Sequence, residues 1–336
     1  MAEKIYLLSC IRNEGPFLLE FVAHHLIVGF TRIFIASNDC DDGSVPLLEA
    51  LGAAGYVTHV PNHVAPGKLP QHEGYARMRA AHDIDGADWL MMLDADEFLN
   101  VHAGDHSVQA LTARAGVEID IIALNSATFG SDGREHWEPG PVTRQFLRRH
   151  PTRHRVSGPV KTLTRDPAHY GRIHNHSLVG YRGPKAALTV MRADGGAFLP
   201  DMAVPLWKQL RHFPPREVRH DLAQYNHYAV KTPDAYRLRA AKGLGTDPPG
   251  TPNTRHDAAY YALRAEAGEH DASILRYAAR LDAKLAEMLG DPAISRAQAE
   301  AERVFAALIL SADPVRSRTG PRPKGIAPAP KGKPHP

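Results

Sequence analysis

Residues 88–101, DWLMMLDADEFLNV, place three acids at the end of an apolar run. The run WLMML has the length and composition of a buried strand, and Asp94, Asp96 and Glu97 follow it. Side chains at positions i and i+2 of a strand project to the same side, so Asp94 and Asp96 can converge. Two carboxylates that share a site repel each other unless a cation lies between them. The pattern predicts a site for Mg²⁺ or Mn²⁺, which carboxylates and substrate phosphates bind.

The alternative interpretation of these acids is a solvated turn that caps a following helix, and D-x-D alone does not decide between the two. Their place directly after a buried strand favours the metal site. Strand-like and helix-like segments alternate over the first 125 residues: KIYLLSC then GPFLLEFVAHHLIVG, RIFIAS then SVPLLEALGAAG, YVTHV then LPQHEGYARMRAAHD, and finally DWLMMLD. This order predicts an α/β fold, a mostly parallel sheet flanked by helices, whose ligands bind beyond the carboxyl ends of the strands.

Patterns in residues 126–336 predict the second half of the domain, a helical extension and a tail. Residues 126–245 contain the strand-like VKTLT and ALTVM and helical patterning in REVRHDLAQYNHYAV, and they complete a domain of residues 1–245. Residues 246–312 are rich in helix-forming residues. Residues 313–336 have six basic residues, one acid and many prolines and glycines, which predicts a disordered basic tail. This tail is a candidate for peripheral association with a membrane.

Composition narrows the class of protein. The net charge of the 336-residue chain is only +3, so no overall field points to nucleic acid or an anionic membrane. Cys10 and Cys40 have neither metal nor redox spacing, which fits a reducing compartment. The N-terminal apolar run is too short for a secretory signal, and no stretch approaches a membrane span. We therefore expect a cytoplasmic protein.

Three further stretches accompany the acidic motif LMMLDADEFL: CIRNEGPFLLEFVAHHLIVGF, SNDCDDGS and QYNHYAVKTPDAYRLRAAKGLG. Together, over residues 4–245, the four resemble the bacterial family 2-like glycosyltransferases of the GT-A fold, which are related to the family 92 transferases. The resemblance implies a Rossmann-like GT-A sheet, with residues 1–125 as the nucleotide-sugar half and residues 126–245 as the acceptor half.

The resemblance also implies a metal centre. Asp94 and Asp96 would bind the metal and the ribose or diphosphate of the donor, with Asp96 as the direct ligand. His227, which with Tyr228 matches the H-Y pair of the family, would complete the metal shell.

The nucleotide pocket follows from the same resemblance. Arg12, Asn13 and Glu14 match the R-N-E of the family and would line this pocket. Asn38 and Asp39 stand where these enzymes contact base and ribose. Because this chain has NDCDDGS and not a plain DDGS, the acid that contacts the nucleotide stays open.

The implied reaction transfers a sugar, with inversion, from a nucleotide-sugar donor to a carbohydrate or lipid-linked acceptor, and UDP is the expected nucleotide. A metal would neutralise the leaving diphosphate, and Lys231 or Lys242 could assist as point charges. A carboxylate would remove the proton of the attacking hydroxyl. Glu97 and Asp132 are the two candidates for this base, and the choice between them is open.

Two other functions remain. One is a nucleotide-sugar-binding protein without turnover. The other is an aspartate-nucleophile phosphatase, which is disfavoured because three strands precede the D-x-D. The stretch TRQFLRRHPTRHR has five arginines and no acid, which suits an anionic acceptor or a solvated loop. Nucleic acid is not an expected partner, because no binding module is evident.

Overall fold

The computed structural model describes residues 2–312, and the predicted tail, 313–336, lies outside this range. The strands are β1 (Ile5–Ile11), β2 (Arg32–Ser37), β3 (Thr58–Pro61), β4 (Trp89–Met92), β5 (Glu97–Val101), β6 (Ile121–Thr128), β7 (Arg148–Arg149), β8 (Val160–Arg165), β9 (Tyr170–Ile173), β10 (Leu178–Tyr181), β11 (Val190–Arg192), β12 (Ala197–Phe198), β13 (Ala223–His227) and β14 (Glu269–His270). The helices are α1 (Gly15–Val28), α2 (Ser44–Ala53), α3 (Pro70–Ala81), α4 (Val108–Ala115), α5 (Val142–Gln145), α6 (Leu206–Gln209), α7 (Pro233–Ala241), α8 (Ala258–Ala265), α9 (Ala278–Leu289) and α10 (Pro292–Ser311).

One large sheet organises the described residues. Its main order is β12-β11-β6-β8-β4-β1-β2-β3, with β13 beside β6 and β5 beside β13. The β4-β1-β2-β3 segment is parallel, and β8 is antiparallel to both β4 and β6. Apolar side chains cover both faces of the sheet in two clusters. The predicted α/β fold, a mostly parallel sheet flanked by helices, is confirmed.

Parallel pairing brings three of the predicted motifs to one edge. Strand β1 lies between β4 and β2, so the segments that follow these three strands emerge side by side. They begin at Arg12, Leu93 and Asn38. Three residues separate β1 from helix α1, which has Pro16 in its first turn, where a proline is tolerated because the first amides have no intrahelical acceptor.

The helical patterning predicted in residues 216–230 is wrong in part, because residues 223–227 form β13. This strand lies between β5, to which it is antiparallel, and β6, to which it is parallel. Buried backbone groups need partners, and two neighbouring strands supply them here against the local periodicity. The register places His227 opposite Glu97, which brings the fourth motif to the acidic turn.

The C-terminal part of the described chain is helical, as predicted. Helices α9 and α10 pack against α1, and α10 also packs against α2 and α7. Within residues 2–312, no helix is both long enough and apolar enough to cross a membrane.

Candidate active site

A cavity of about 190 Å³ opens at the carboxyl edge of β1, β2 and β4. Eight of the residues predicted from the sequence line it: Arg12, Glu14, Asn38, Asp94, Asp96, Glu97, His227 and Lys242. They come from segments that are up to 230 residues apart in the chain. We refer to this cavity as the active-site cavity.

Asp96 is almost fully buried and is paired with a protein cation. Its carboxylate accepts a hydrogen bond from Nη1 of Arg239, on α7, and lies 3.6 Å from Nε2 of His227. Burial alone would raise the pKa of Asp96, but the charges of Arg239 and His227 lower it well below its usual range. Burial lowers the pKa of His227, and the Asp96 charge opposes this effect. Asp96 is therefore an ionised carboxylate that Arg239 neutralises.

Asp94 and Glu97 share a different cation, the buried Lys161 of β8. Its Nζ lies 3.1 Å from Oδ2 of Asp94 and 2.8 Å from Oε2 of Glu97. Oε2 of Glu97 also accepts the backbone N–H of Asp94 at 2.8 Å, which closes the turn between β4 and β5. Oδ1 of Asp94 accepts a hydrogen bond from Gln71 at 2.9 Å. Burial raises the pKa of Glu97 to about 8, although the Lys161 charge opposes this rise.

The predicted metal ligands are not brought to one point. Asp96 and His227 are neighbours, whereas both oxygens of Asp94 are directed at Gln71 and Lys161. No group of three or more His, Cys, Asp or Glu side chains among residues 2–312 has an arrangement that could hold a metal. A divalent ion would have to displace Lys161 or Arg239 from the carboxylates. In this arrangement the donor set does not fit a metal.

Lys242 fixes the R-N-E segment. Its Nζ donates to the backbone carbonyls of Arg12, at 2.7 Å, and Asn13, at 3.3 Å, and it pairs with the carboxylate of Glu14. The Nδ2 of Asn13 donates to Asp41 at 2.5 Å, and its Oδ1 accepts the Asp41 amide at 2.9 Å. The loop after β1 is thereby tied both to the end of α7 and to the loop after β2.

The acids of the NDCDDGS segment differ in burial: Asp42 is buried and Asp39 is exposed to solvent. Asp42 is fully buried and accepts N–H groups from Gly15, at 2.7 Å, and from Ser44, at 3.1 Å. It joins the starts of α1 and α2, which gives it a structural role. Asp39 is exposed, and its carboxylate accepts a hydrogen bond from Asn38 at 3.0 Å.

Four predicted residues do not line the active-site cavity: Asn13, Asp39, Asp132 and Lys231. Asp132 lines a separate surface cavity, and its oxygens accept the amides of Leu147 and Arg148 at 2.7 and 2.9 Å, so it holds a loop. Lys231 lines an adjoining cavity of about 230 Å³ together with Asn13. Its Nζ lies 4.4 Å from the centre of the Phe17 ring, and burial lowers its pKa.

The cations that neutralise the acids are not among the residues predicted from the sequence. Arg239 lies within the quoted H-Y stretch, three residues before Lys242, on the helix that follows the motif. Lys161 is a single charge inside the strand VKTLT, and a lysine in a buried strand is a signal that it has an acidic partner. Part of the cavity wall comes from residues 255–264, beyond the predicted domain boundary at 245, and includes Arg255 and Arg264.

Comparison with known proteins found relatives for parts of the chain. A glycosyltransferase family 92 protein of Oryza sativa subsp. japonica is 26% identical over 179 residues, which are 53% of this chain and 30% of that protein. A family 92 protein of Arabidopsis thaliana is 34% identical over 86 residues, or 26% of this chain and 14% of that protein. The chain thus spans less than a third of the length of these relatives. No family model matches it.

The likeness to solved structures is low. The crystal structure of S. aureus TarS 1-349 in complex with UDP is 14% identical, covers 40% of this chain and 38% of that chain, and has a TM-score of 0.28. At this level the likeness supports no argument about the site. The relationship to family 92 that the motifs predicted is confirmed as sequence similarity to segments of such proteins.

Proposed function

We propose that this protein is a glycosyltransferase that moves a sugar from a nucleotide-sugar donor, a UDP-sugar, to a carbohydrate or lipid-linked acceptor with inversion. The observation that carries the proposal is the convergence of four separate motifs on one cavity at the carboxyl edge of a mostly parallel sheet. The similarity of chain segments to family 92 glycosyltransferases supports it. The finer family 2-like subtype rests on the motifs alone.

In this proposal the nucleotide lies against the ends of β1 and β2. Arg12, Asn13 and Glu14 would contact it from one side and Asn38 and Asp39 from the other. Lys242 holds the backbone of the first group in place, so the pocket wall is ordered before the nucleotide arrives. Preorganised contacts reduce the entropy that binding would otherwise lose.

The departing diphosphate needs positive charge near the acidic turn. Arg239 and Lys242 lie on the cavity wall and come from the same face of the α7 region, three positions apart. Each already has an acidic partner, so the pairs Arg239–Asp96 and Lys242–Glu14 would share their cations with phosphate oxygens. Arg12 adds a guanidinium whose buried Nε has no partner among the described residues. Arginine favours bidentate contact with phosphate.

Glu97 is the better placed of the two predicted bases. It lines the active-site cavity, whereas Asp132 lines another one. A base must approach the attacking hydroxyl to hydrogen-bond distance, and Oε2 of Glu97 is held by Lys161 and by the Asp94 amide. Oε1 is then the oxygen with which Glu97 would accept the proton, and because burial raises the pKa of Glu97 to about 8, its ionised, basic form predominates only above that pH.

The test measures nucleotide binding and turnover separately. Thermal stability of the purified chain is followed with UDP, GDP and CMP, each with Mn²⁺ and with EDTA. A nucleotide at 100 times its dissociation constant should add about 2.7 kcal/mol to the free energy of unfolding. Release of nucleoside diphosphate from UDP-sugars in the presence of acceptor mixtures then reports turnover. Lys242→Gln should weaken nucleotide binding, and Arg237→Gln, an exposed arginine on the same helix, is the matched control.

Each result has a defined meaning. Stabilisation by UDP that Lys242→Gln reduces and Arg237→Gln leaves intact supports the donor site. Binding without release of UDP in any acceptor mixture supports the alternative of a nucleotide-sugar-binding protein. Turnover in Mn²⁺ that EDTA abolishes would support the metal dependence expected from the D-x-D pair, against the arrangement of Lys161 and Arg239. Absence of binding to every nucleotide would refute the donor site.

A further inference from the structure

A second cavity, of about 600 Å³, is continuous with the active-site cavity. The two share part of their walls, including Val156, Asn175, His176, Arg255 and Arg264. The rest of the second cavity is formed by Arg155, by the segment before β10, and by Arg211 and His212 after α6. We call it the arginine cleft, after Arg155, Arg211, Arg255 and Arg264.

The arginine cleft has positive charge without compensation. Four arginines and four histidines line it, and no acidic residue does so in the described part of the chain. None of the four guanidinium groups lies within 4.0 Å of a carboxylate of residues 2–312. In the active-site cavity, by contrast, Arg239 and Lys242 each have an acidic partner. A cleft lined by one sign of charge attracts ligands of the opposite sign.

The shared wall of the cleft is held by aromatic and backbone contacts. The guanidinium of Arg264 lies 3.6 Å from the centre of the Tyr260 ring, and that of Arg255 lies 5.9 Å from the same ring. Tyr260 also lines the active-site cavity. On the opposite wall, Nε2 of His212 hydrogen-bonds the carbonyl of Arg155 at 3.3 Å. Stacking on an aromatic ring fixes a guanidinium. Nη1 of Arg264 also donates to the carbonyl of Tyr260 at 3.4 Å, and its other N–H groups can bind a ligand.

His174 and His176 supply neutral hydrogen-bonding groups to the cleft at pH 7. Burial lowers the pKa of His174 to about 4 and that of His176 to about 3. The His174 ring lies 5.9 Å from the ring of Trp207 and 5.5 Å from that of His72. Neutral imidazoles and aromatic faces suit sugar hydroxyls and ring C–H groups, whereas the arginines suit an anionic substituent.

We propose that the arginine cleft binds the acceptor and that this acceptor is a sugar bearing a carboxylate or phosphate group. The assignment rests on the proposed glycosyl transfer, because the cleft opens onto the cavity where the donor would bind. The anionic group would lie among the four arginines, with the attacking hydroxyl directed toward the acidic turn of Asp94 and Glu97. A neutral acceptor would leave four cations without a counter-charge.

The test measures binding of three probes to the full chain at fixed ionic strength, with and without saturating UDP. The probes are trigalacturonic acid, glucose 6-phosphate and the neutral maltotriose, followed by calorimetry. The cleft variant is Arg155→Gln/Arg211→Gln. The matched control is Arg153→Gln/Arg237→Gln, which removes the same charge from two exposed arginines that line neither cavity in the described structure.

We expect one acidic probe to bind more tightly than maltotriose and to bind in the presence of UDP. Loss of a charge-assisted contact costs about tenfold in affinity, so the cleft variant should bind about a hundredfold more weakly, with the control unchanged. Preference for trigalacturonic acid or for glucose 6-phosphate identifies carboxylate or phosphate as the group.

Other outcomes overturn the proposal. Equal binding of maltotriose and both acidic probes would exclude an anionic acceptor. Displacement of the acidic probe by UDP would assign the cleft to the donor phosphates. An equal loss of affinity in the control variant would show that the effect comes from the net charge of the protein and not from the cleft. If UDP does not bind but an acidic probe binds in the cleft, the proposed donor site is refuted and the proposed anion site is supported. The two proposals can therefore be refuted separately.

Discussion

The buried pair between Arg239 and Asp96 offers a test of how the cavity is neutralised. In the Arg239→Met variant the Asp96 carboxylate, 3% exposed, loses its guanidinium partner. Breaking a buried ion pair from one side costs about 3–5 kcal/mol. The Arg239 side chain is 20% exposed, and His227 lies 3.6 Å from the same carboxylate, so we expect a loss of about 3 kcal/mol.

Urea unfolding of three variants measures this loss. Arg237→Met changes an exposed arginine on the same helix and should alter the free energy of unfolding by at most about 0.5 kcal/mol. The double variant Asp96→Asn/Arg239→Met removes both charges and should be more stable than Arg239→Met alone, because no unpaired carboxylate is then buried. If Arg239→Met and Arg237→Met unfold at the same urea concentration, Arg239 does not neutralise Asp96.

The same pair predicts a pH dependence. In the wild type the pKa of Asp96 lies well below 3.8, so its contribution to stability is present at neutral pH and is lost only in strong acid. In Arg239→Met, burial without a partner should raise this pKa above the unfolded value. The resulting penalty is full at neutral pH and is relieved as the carboxyl group takes up a proton. The stability gap between variant and wild type should therefore narrow from pH 7 to pH 5, and a constant gap would contradict this.

Three further predictions concern groups around the site. Lys161→Met should lower the free energy of unfolding by about 3 kcal/mol, because Asp94 and Glu97 lose their shared cation, and adding Glu97→Gln should recover part of it, since a neutral amide does not need that cation. Burial lowers the pKa of His24 to about 4 from 6.5, so His24 should contribute about 3 kcal/mol to the loss of stability between pH 7 and pH 4; in His24→Gln this loss, followed by thermal unfolding, should be smaller by that amount. Gly158→Ala would place a Cβ 2.6 Å from the Phe213 carbonyl oxygen beside the arginine cleft and should cost about 1–3 kcal/mol, whereas Gly268→Ala, with open space around it, should be neutral in urea unfolding.

The early part of the fold was readable from the sequence because its signals are local. Alternating strand and helix patterns over residues 1–125 correspond to β1 to β4 and α1 to α3, and the parallel pairing of β4, β1 and β2 then brings their motifs together. Strand β13 was not readable in this way. Its residues have a helix-like periodicity, and their state is decided by β5 and β6, which are more than 90 residues away in the chain.

The candidate site was predictable for its acids but not for its cations. Asp94, Asp96 and Glu97 are adjacent in sequence, so their common location follows from the strand before them. Lys161 and Arg239 are 67 and 143 residues away from their partners, and no local pattern connects them with the acidic turn. The arginine cleft was not predictable for the same reason, because its four arginines come from three separate segments.

The acidic turn needs positive charge, which either a metal ion or protein side chains could supply. On one strand face the carboxylates of Asp94 and Asp96 would converge, and a single cation between them would suffice. In the structure β4 ends at Met92 and β5 begins at Glu97, so both aspartates lie in the intervening turn and point to different partners. A turn of this kind separates the two carboxylates and lets two protein cations replace one ion. Neutralisation then depends on β8 and α7 reaching the sheet edge, so formation of the cavity is coupled to folding of the second half of the chain.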